Sequence, residues 1–473
     1  MSKKKIFWGT GKLGKEVLSL WRKLNIRPDY FCDNASSLWG SRIEGITVLS
    51  PLEVYGWKDQ VTVFITCGKY AEIEWQLKEN GIPESEIVRA DGALSSEMYA
   101  RISDSLCPYI TAGRNGAEKD YKCLIDLSGG MVLGGVERWS YSLAETLNKL
   151  QIKSAYIIPG NCVRTIADTA IPAIFVENRR GVPIIDVIEE LLHSGADTVV
   201  CNFPFEIMIG ACMIKKCINP KLRLVAVVHN DEEIYYRALT TWERYIDICL
   251  TISSKMKKAL IERGFPSSKI RELYWRIPCS GGSRNTYSPL GTPLKIGYAG
   301  RISVKQKRAD LLLMVGERLR ENHMEFCMSI AGAGEYEEEL KKQIREKGLG
   351  DYIKFLGEIA HEQIAQFWEE QDICISCSEW EGHSISHSEA MAAGAVPVIT
   401  NTSGARDDVE EGVNGFVVEI GDMDALAERI LYLDQHRSLL YKMGNNSKQK
   451  IIARNKYMEA ESYWKQLLGT ALR

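Results

Sequence analysis

Short apolar runs of about four to eight residues alternate along this chain with longer segments whose apolar positions recur every three or four residues. The first pattern predicts buried strands and the second amphipathic helices. Their regular alternation predicts an α/β protein with parallel sheets. The order of the runs gives three wound units. The first opens on KIFWGTGKLGKEVLSLW (5–21), a strand, a glycine turn and a helix. Further strands are expected at 29–33 and 61–66, with a helix over 71–80 that stops at Gly81. The polar stretch 107–120 reads as a linker. The second unit starts at KCLIDLSGG (122–130), again strand and glycine loop, with strands expected at 154–159, 173–177, 197–203, 222–230 and 248–253. Residues 279–293 are rich in Gly, Ser and Pro and mark the clearest boundary. The third unit carries strand candidates in LKIGYAG (294–300), FCMSIAG (326–332), YIKFLGE (352–358), ICISCS (373–378), VPVITN (396–401) and GFVVE (415–419). From about Asn455 the tail reads as one amphipathic helix. The expected organisation is a Rossmann-like module over 1–110, wound domains over 119–285 and 292–455, and a C-terminal helix over 456–473.

Composition narrows the function classes. The chain has 473 residues, 45% hydrophobic and 26% charged, with a formal net charge of −3. A slightly acidic chain lacks the basic field that nucleic acid requires, so no nucleic-acid partner is expected. Basic clusters at Lys3–Lys5 and at Lys255, Lys257 and Lys258 fit a solvated face, or contact with anionic lipid. Thirteen cysteines lie scattered without disulfide-like spacing, many inside apolar runs, which predicts buried thiols in a reducing compartment. Cys374 and Cys377 form a C-x-x-C, but residues three apart on a strand face opposite sides, which argues against a redox pair. The start MSKKKIFWGTG reaches a glycine loop before an apolar signal region can form, and no run of 18 apolar residues occurs. A cytoplasmic protein is expected, soluble or peripheral on the inner face of the membrane.

Several motifs sit where open α/β sheets bind ligands, at the carboxyl ends of strands. Gly9, Gly11 and Gly14 follow the first strand, and Asp33 ends the next, the full context of a dinucleotide fingerprint. The same turn also serves packing alone, so a nucleotide ligand on this module stays one of two readings. Gly129, Gly130, Gly134 and Gly135 make two glycine pairs in a single turn, which suits close approach to a ligand or a facing domain, or a flexible turn. Arg301, Lys305, Lys307 and Arg308 crowd the turn after IGYAG, where cations would stabilise a departing diphosphate or form a solvated basic loop; Arg301 and one lysine are expected to be functional and the others surface. His229 ends the strand run VAVVH and reads equally as structural or functional. The segment EGHSISHSE sets Glu381 and Glu389 around an expected helix start, suited to a sugar nucleotide. Backbone N–H groups would hold phosphate, and the carboxylates would accept from hydroxyls. His383 and His387 stand four apart without the Glu of H-E-x-x-H or a third ligand nearby in sequence, so no metal is expected. Asp422 and Asp424 precede a helix and read as capping residues rather than a metal–nucleotide pair.

Together these stretches resemble glycosyltransferase family 4, over about residues 121–465. The resemblance rests on GGVER, VVHN, YAGRISVKQKRADLLL, IAGAGEYEEEL, IKFLGEI and SEWEGHSISHSEAMAAGAVPVITNTSGARDDVEEGVNGFVV in this order. It implies a GT-B fold, two facing Rossmann-like domains, here preceded by a small Rossmann-like module similar to those attached to bacterial sugar-modifying enzymes. It implies a retaining, metal-independent transfer of a hexose-type sugar from a UDP- or GDP-sugar to a hydroxyl, in bacterial surface polysaccharide or glycan assembly. The acceptor would be a glycan or lipid-linked glycan, and no cofactor beyond the nucleotide-sugar co-substrate would be required. By the same resemblance Arg301 and Lys307 would neutralise the diphosphate, with Lys305 a rival for the lysine role. Glu389 would accept from the ribose, Glu381 would face the transferred sugar, and Ser384, Ile385 and Ser386 would offer backbone N–H groups. Gly134 and Gly135 would allow closure over the phosphates, and His229 would lie beside the sugar. The chain departs from the common EGFG form at His383 and Ser384. Two other classes remain open: a nucleotide-sugar oxidoreductase or epimerase run by the first module, and a non-catalytic sugar-nucleotide-binding subunit. The first lacks a visible proton relay, since Tyr70 has no lysine four residues on.

Overall fold

The computed structural model describes residues 3–90, 96–112, 119–129, 135–160, 171–179, 182–279, 283–284, 286–457 and 463–464. Three sheets account for the predicted strands. In the first, β1 (Lys4–Trp8), β2 (Tyr30–Cys32), β3 (Arg42–Ile43), β4 (Ile46–Leu49), β5 (Val61–Ile65) and β6 (Ile87–Arg89) take the order β3-β4-β2-β1-β5-β6. Only the β3–β4 pair there is antiparallel. The second holds β7 (Cys123–Asp126), β8 (Ser154–Pro159), β9 (Ala173–Val176), β10 (Thr198–Cys201), β11 (Arg223–Val228), β12 (Ile248–Thr251) and β13 (Ile270–Glu272), in the order β13-β12-β11-β10-β7-β8-β9. The third holds β14 (Leu294–Ala299), β15 (Phe326–Ala331), β16 (Ile353–Gly357), β17 (Ile373–Ser376), β18 (Val396–Thr400) and β19 (Phe416–Val418), in the order β16-β15-β14-β17-β18-β19, and is parallel throughout.

The chain forms two compact units. One comprises Met1–Val227, Glu232–Cys249 and Arg263–Lys269, the other Val228–Asp231, Leu250–Glu262 and Ile270–Arg473.

In the first unit, Phe7, Trp21 and Phe64 meet edge to face in the core around β1. Residues expected to begin a linker at 107 instead complete a helix, Ser96–Ala112. Its apolar face is buried at Met98, Tyr99, Ile102 and Leu106, and that burial keeps it folded. Trp21 Nε1 donates to Met98 Sδ at 3.3 Å, so the helix packs back on the N-terminal module. Arg237 pairs with Glu97 at 2.5 Å and Lys216 with Asp104 at 2.6 Å. Cys107 and Cys217 form a disulfide with an S–S distance of 2.08 Å, which corrects the expectation of free thiols for this pair. The partners stand 110 residues apart in sequence and meet only because two helices pack, so spacing carried no sign of them.

In the second unit, the β14–β19 sheet is covered on both faces. One face packs Leu294, Ile296, Met328, Ile375, Cys377 and Val398. The other packs Phe367, Trp368, Cys374 and Ala390. The C-x-x-C cysteines thus fall into opposite cores, as strand geometry required. Asp422 accepts from the Ala425 N–H at 2.9 Å and caps the helix Met423–Gln435, as predicted. Asn455 does not begin the tail helix. It lies inside the helix Ser438–Tyr457 and clips the Ile277 backbone, with Nδ2 donating to the carbonyl at 2.7 Å and Oδ1 accepting at 3.1 Å. Most of the expected tail helix, 456–473, lies outside the described residues.

Candidate functional site

Three strand ends of the second unit build one corner. Beyond β14, the turn from Gly300 to Asp310 lies against the turn after β15. A Cβ on Gly332 would fall 2.0 Å from the Gly300 carbonyl oxygen, and one on Gly334 would fall 2.2 Å from that of Ile302. Only glycine permits two backbones to approach so closely. Beyond β17, residues 377–384 lead into the helix Ile385–Ala393. Ser384 precedes that helix in extended conformation and offers no side-chain cap, so the first-turn N–H groups are not consumed by it. Ser386 Oγ donates to the Ala299 carbonyl at 2.7 Å and fastens the helix start to the end of β14.

The predicted cations separate by position. Lys307 Nζ donates to Glu381 Oε1 at 2.5 Å, and Ser378 Oγ donates to the same oxygen at 2.7 Å. Lys307, Tyr298, Ser376, Ser378, Ser384, Ser386 and His387 line one small cleft. Arg301 and Lys305 are exposed, and among the described residues their side chains make no ion pair. Arg308 is drawn away into pairs with Asp310 at 3.1 Å and Glu379 at 3.0 Å. Glu389 sits half-buried on the helix that follows. The Cys374 thiol near it is pushed up chiefly by burial and then by this carboxylate.

His229 is buried, and desolvation lowers its pKa to about 3, so the imidazole is neutral at any ordinary pH. Its carbonyl lies against the acidic loop, since a Cβ on Gly382 would stand 1.9 Å from that oxygen. His383 and His387 do acquire a third neighbour of ligand type in space, Asp408, which no spacing along the chain places there. The three ligand atoms lie within 4.8 Å of one another. Arg454 Nη1 stands 2.6 Å from Asp408 Oδ1 and 3.0 Å from His383 Nε2, so a guanidinium holds the space a cation would take.

In the first unit, Gly135 opens the helix Gly135–Lys149, while Gly130 and Gly134 lie outside the described residues. A Cβ on Gly129 would stand 2.6 Å from Glu137 Oε1, so this glycine answers to local packing. Asp126, at the end of β7, was not singled out in sequence, although an acid inside an apolar run was the available signal. Burial raises its pKa to about 7, against hydrogen bonds from Ser128 and the Phe203 N–H at 3.1 Å. In the N-terminal turn, a Cβ on Gly14 would meet the Gly9 carbonyl at 2.2 Å, whereas one on Gly11 would meet nothing within 4 Å. Asp33 Oδ2 accepts from Thr10 Oγ1 at 2.6 Å and from the Thr10 N–H at 3.0 Å. Its Oδ1 accepts from the Ala35 N–H at 3.0 Å.

Residues 133–275 match the profile of Glycosyltransferase Family 4, and residues 284–450 that of Glycosyl transferases group 1. This chain belongs to glycosyltransferase family 4. Residues 1–88 of the family 4 chain match the C2185-like, N-terminal profile. It is 29% identical over 195 residues to the amylovoran biosynthesis glycosyltransferase AmsK of Erwinia amylovora, covering 40% of this chain and 48% of that protein. It is 26% identical over 176 residues to the poly(ribitol-phosphate) alpha-N-acetylglucosaminyltransferase of Staphylococcus aureus, covering 37% of this chain and 35% of that one. The matches thus span about half or less of these curated relatives. In fold, the family 4 chain is similar to the lipopolysaccharide outer core galactosyltransferase WaaB, with a TM-score of 0.57 at 19% identity over 74% of this chain and 99% of that one. It is also similar to Anabaena Alr3699/HepE, solved with UDP and glucose, with a TM-score of 0.56 at 20% identity over 72% and 99%. These likenesses show the GT-B fold. Among the described residues no helix is long and apolar enough to cross a membrane.

Proposed function

We propose that the chain is a retaining, metal-independent glycosyltransferase that moves a hexose-type sugar from a UDP- or GDP-sugar to a hydroxyl of a glycan or lipid-linked glycan. The observation that carries the reading is the cleft lined by Lys307, Ser378 and the helix start at Ser384, with Lys307 and Ser378 both donating to Glu381. An ammonium and uncapped helical N–H groups suit a diphosphate, whose charge grows as the glycosidic bond breaks. Arg301 supplies a second cation on the same turn. Glu389 receives the ribose hydroxyls. The sugar becomes oxocarbenium-like, the nucleoside diphosphate departs with the bonding electrons, and the acceptor oxygen attacks from the same face while a departing phosphate oxygen takes its proton. Glu381 shares one oxygen with Lys307 and Ser378, an arrangement that supports orienting the sugar rather than attacking it. The relatives' names, amylovoran and poly(ribitol-phosphate) among them, support a bacterial polymer as the acceptor class.

A panel of UDP- and GDP-sugars tests this. At least one should raise the unfolding temperature and release nucleoside diphosphate, and the anomeric configuration of the product, read by NMR, should match that of the donor. A panel in which none binds and none is cleaved contradicts the reading.

A further inference from the structure

Beneath the acidic loop, side chains from three elements of the second unit converge on one carboxylate. His383 Nε2 lies 2.8 Å from Asp408 Oδ2, and Ser388 Oγ donates to that oxygen at 3.1 Å. Arg454 Nη1, from the helix Ser438–Tyr457, donates to Oδ1 at 2.6 Å and to Oδ2 at 2.8 Å. His387 Nε2 stands 3.6 Å away. All five residues are buried. Although burial alone would push the Asp408 carboxyl up, His383, His387 and Arg454 hold it well below the usual carboxylate range.

Among the described residues, His383 Nδ1 is buried without a hydrogen-bond partner and faces Gly404, where a Cβ would come within 2.6 Å. His383 therefore meets the buried acid through Nε2, at the hydrogen-bond distance of 2.8 Å from Asp408 Oδ2, with Arg454 Nη1 3.0 Å from the same nitrogen. That bond fixes the imidazole in one orientation.

The ring is one residue from Gly382, which the His229 carbonyl confines from the other side. Glu381 lies just before Gly382, and Ser384, the start of the helix Ile385–Ala393, lies just after His383. The short helix that presents Asp408 is anchored in turn, since Asp407 accepts from the Ser254 N–H at 2.8 Å. We propose that Asp408 is a positioning residue for the donor loop: it holds His383, and through His383 it sets where Glu381 and the helix start at Ser384 stand. The inference rests on the donor reading above and goes beyond it by naming what fixes the loop. It also gives a reason for His383, where the family's common form has phenylalanine: the ring is held by a hydrogen bond to a buried acid rather than by apolar packing.

The test is Asp408→Asn and His383→Phe in the full chain, with UDP and GDP as binding probes and donor hydrolysis for the kinetics. A loop displaced before the chemical step weakens ground state and transition state together, so donor KM and nucleoside diphosphate Kd should rise about tenfold while kcat changes less than about threefold. His383→Phe keeps the Asp408–Arg454 pair, so it decides the matter if Asp408→Asn does not fold. Folded variants that bind UDP or GDP as tightly as wild type overturn the positioning role and leave the donor reading intact. So does a loss confined to kcat. Wild-type protein that binds neither nucleotide overturns the donor reading, and this inference with it.

Discussion

The turn after β1 and the turn after β14 are built on one plan: a parallel strand, a glycine bend, a helix, and a carboxylate contributed by another strand end. They differ in where their polar groups are spent. In the N-terminal turn, Asp33 accepts three hydrogen bonds from Thr10 and Ala35, and Gly14 serves the packing of a helix on the Gly9 carbonyl. In the C-terminal turn, Lys307 lines a cleft and donates to Glu381, and Arg301 reaches solvent. A glycine pattern therefore reports that backbones come close, while the destination of the neighbouring charges separates a packed turn from a binding one.

The sharpest way to break this comparison is Lys307→Ala. Removing a cation aimed at a developing diphosphate should cost about 10²–10³-fold in donor turnover, measured as nucleoside diphosphate release. An unchanged rate would return this turn to the class of the first. Glu389→Ala should weaken nucleoside diphosphate binding about tenfold, the loss expected when a charged acceptor of hydroxyl donors is removed. Calorimetry showing wild-type affinity would sink the ribose assignment alone.

Two predictions concern stability. Gly14→Ala should destabilise the N-terminal module by about 1–3 kcal/mol, the usual cost of overpacking, and leave donor affinity unchanged. Equal unfolding curves would show that the Gly9–Gly14 contact relaxes freely. His229, at about 3 when folded, resists a proton that the unfolded chain accepts near the ordinary histidine value of about 6.5. The unfolded state thus binds more protons between those values, and stability contributed by the neutral ring is lost as pH falls through that window. The drop in unfolding temperature from neutral to mildly acidic pH should be smaller in His229→Asn, and an identical drop in both proteins would contradict the assignment.

The smallest effect is expected at Lys305, exposed and without an ion pair among the described residues. Lys305→Ala should stay within about twofold of wild type in turnover, as most surface changes do. A loss as large as that of Lys307→Ala would exchange the roles of the two lysines.

Much of the fold was legible because each long strand is a compact apolar run, VTVFIT and VPVITN among them. The strands that went unread are short or marginal: Arg42–Ile43, Ile46–Leu49, Ile87–Arg89 and Ile270–Glu272 owe their pairing to neighbours rather than to their own pattern. The helix through 107–112 was hidden by a polar-looking stretch whose anchoring residues, Met98 to Leu106, lie upstream. Within the site, Lys307 and Glu381 could be read because each lies in the loop that follows a recognisable strand. Asp408 and Arg454 could not, since they stand 25 and 71 residues beyond His383 and only the fold brings them to it. The Asp-Asp pair at 407–408 looks in sequence like any acidic helix end.

The central claim is that the donor nucleotide is held by the turn after β14 and the loop after β17, and hydrogen exchange of the full chain with and without a binding UDP- or GDP-sugar tests it most directly. Protection should appear in peptides covering 298–308 and 376–390 and be absent from 6–14 and 30–36. Protection confined to the N-terminal turn would contradict it.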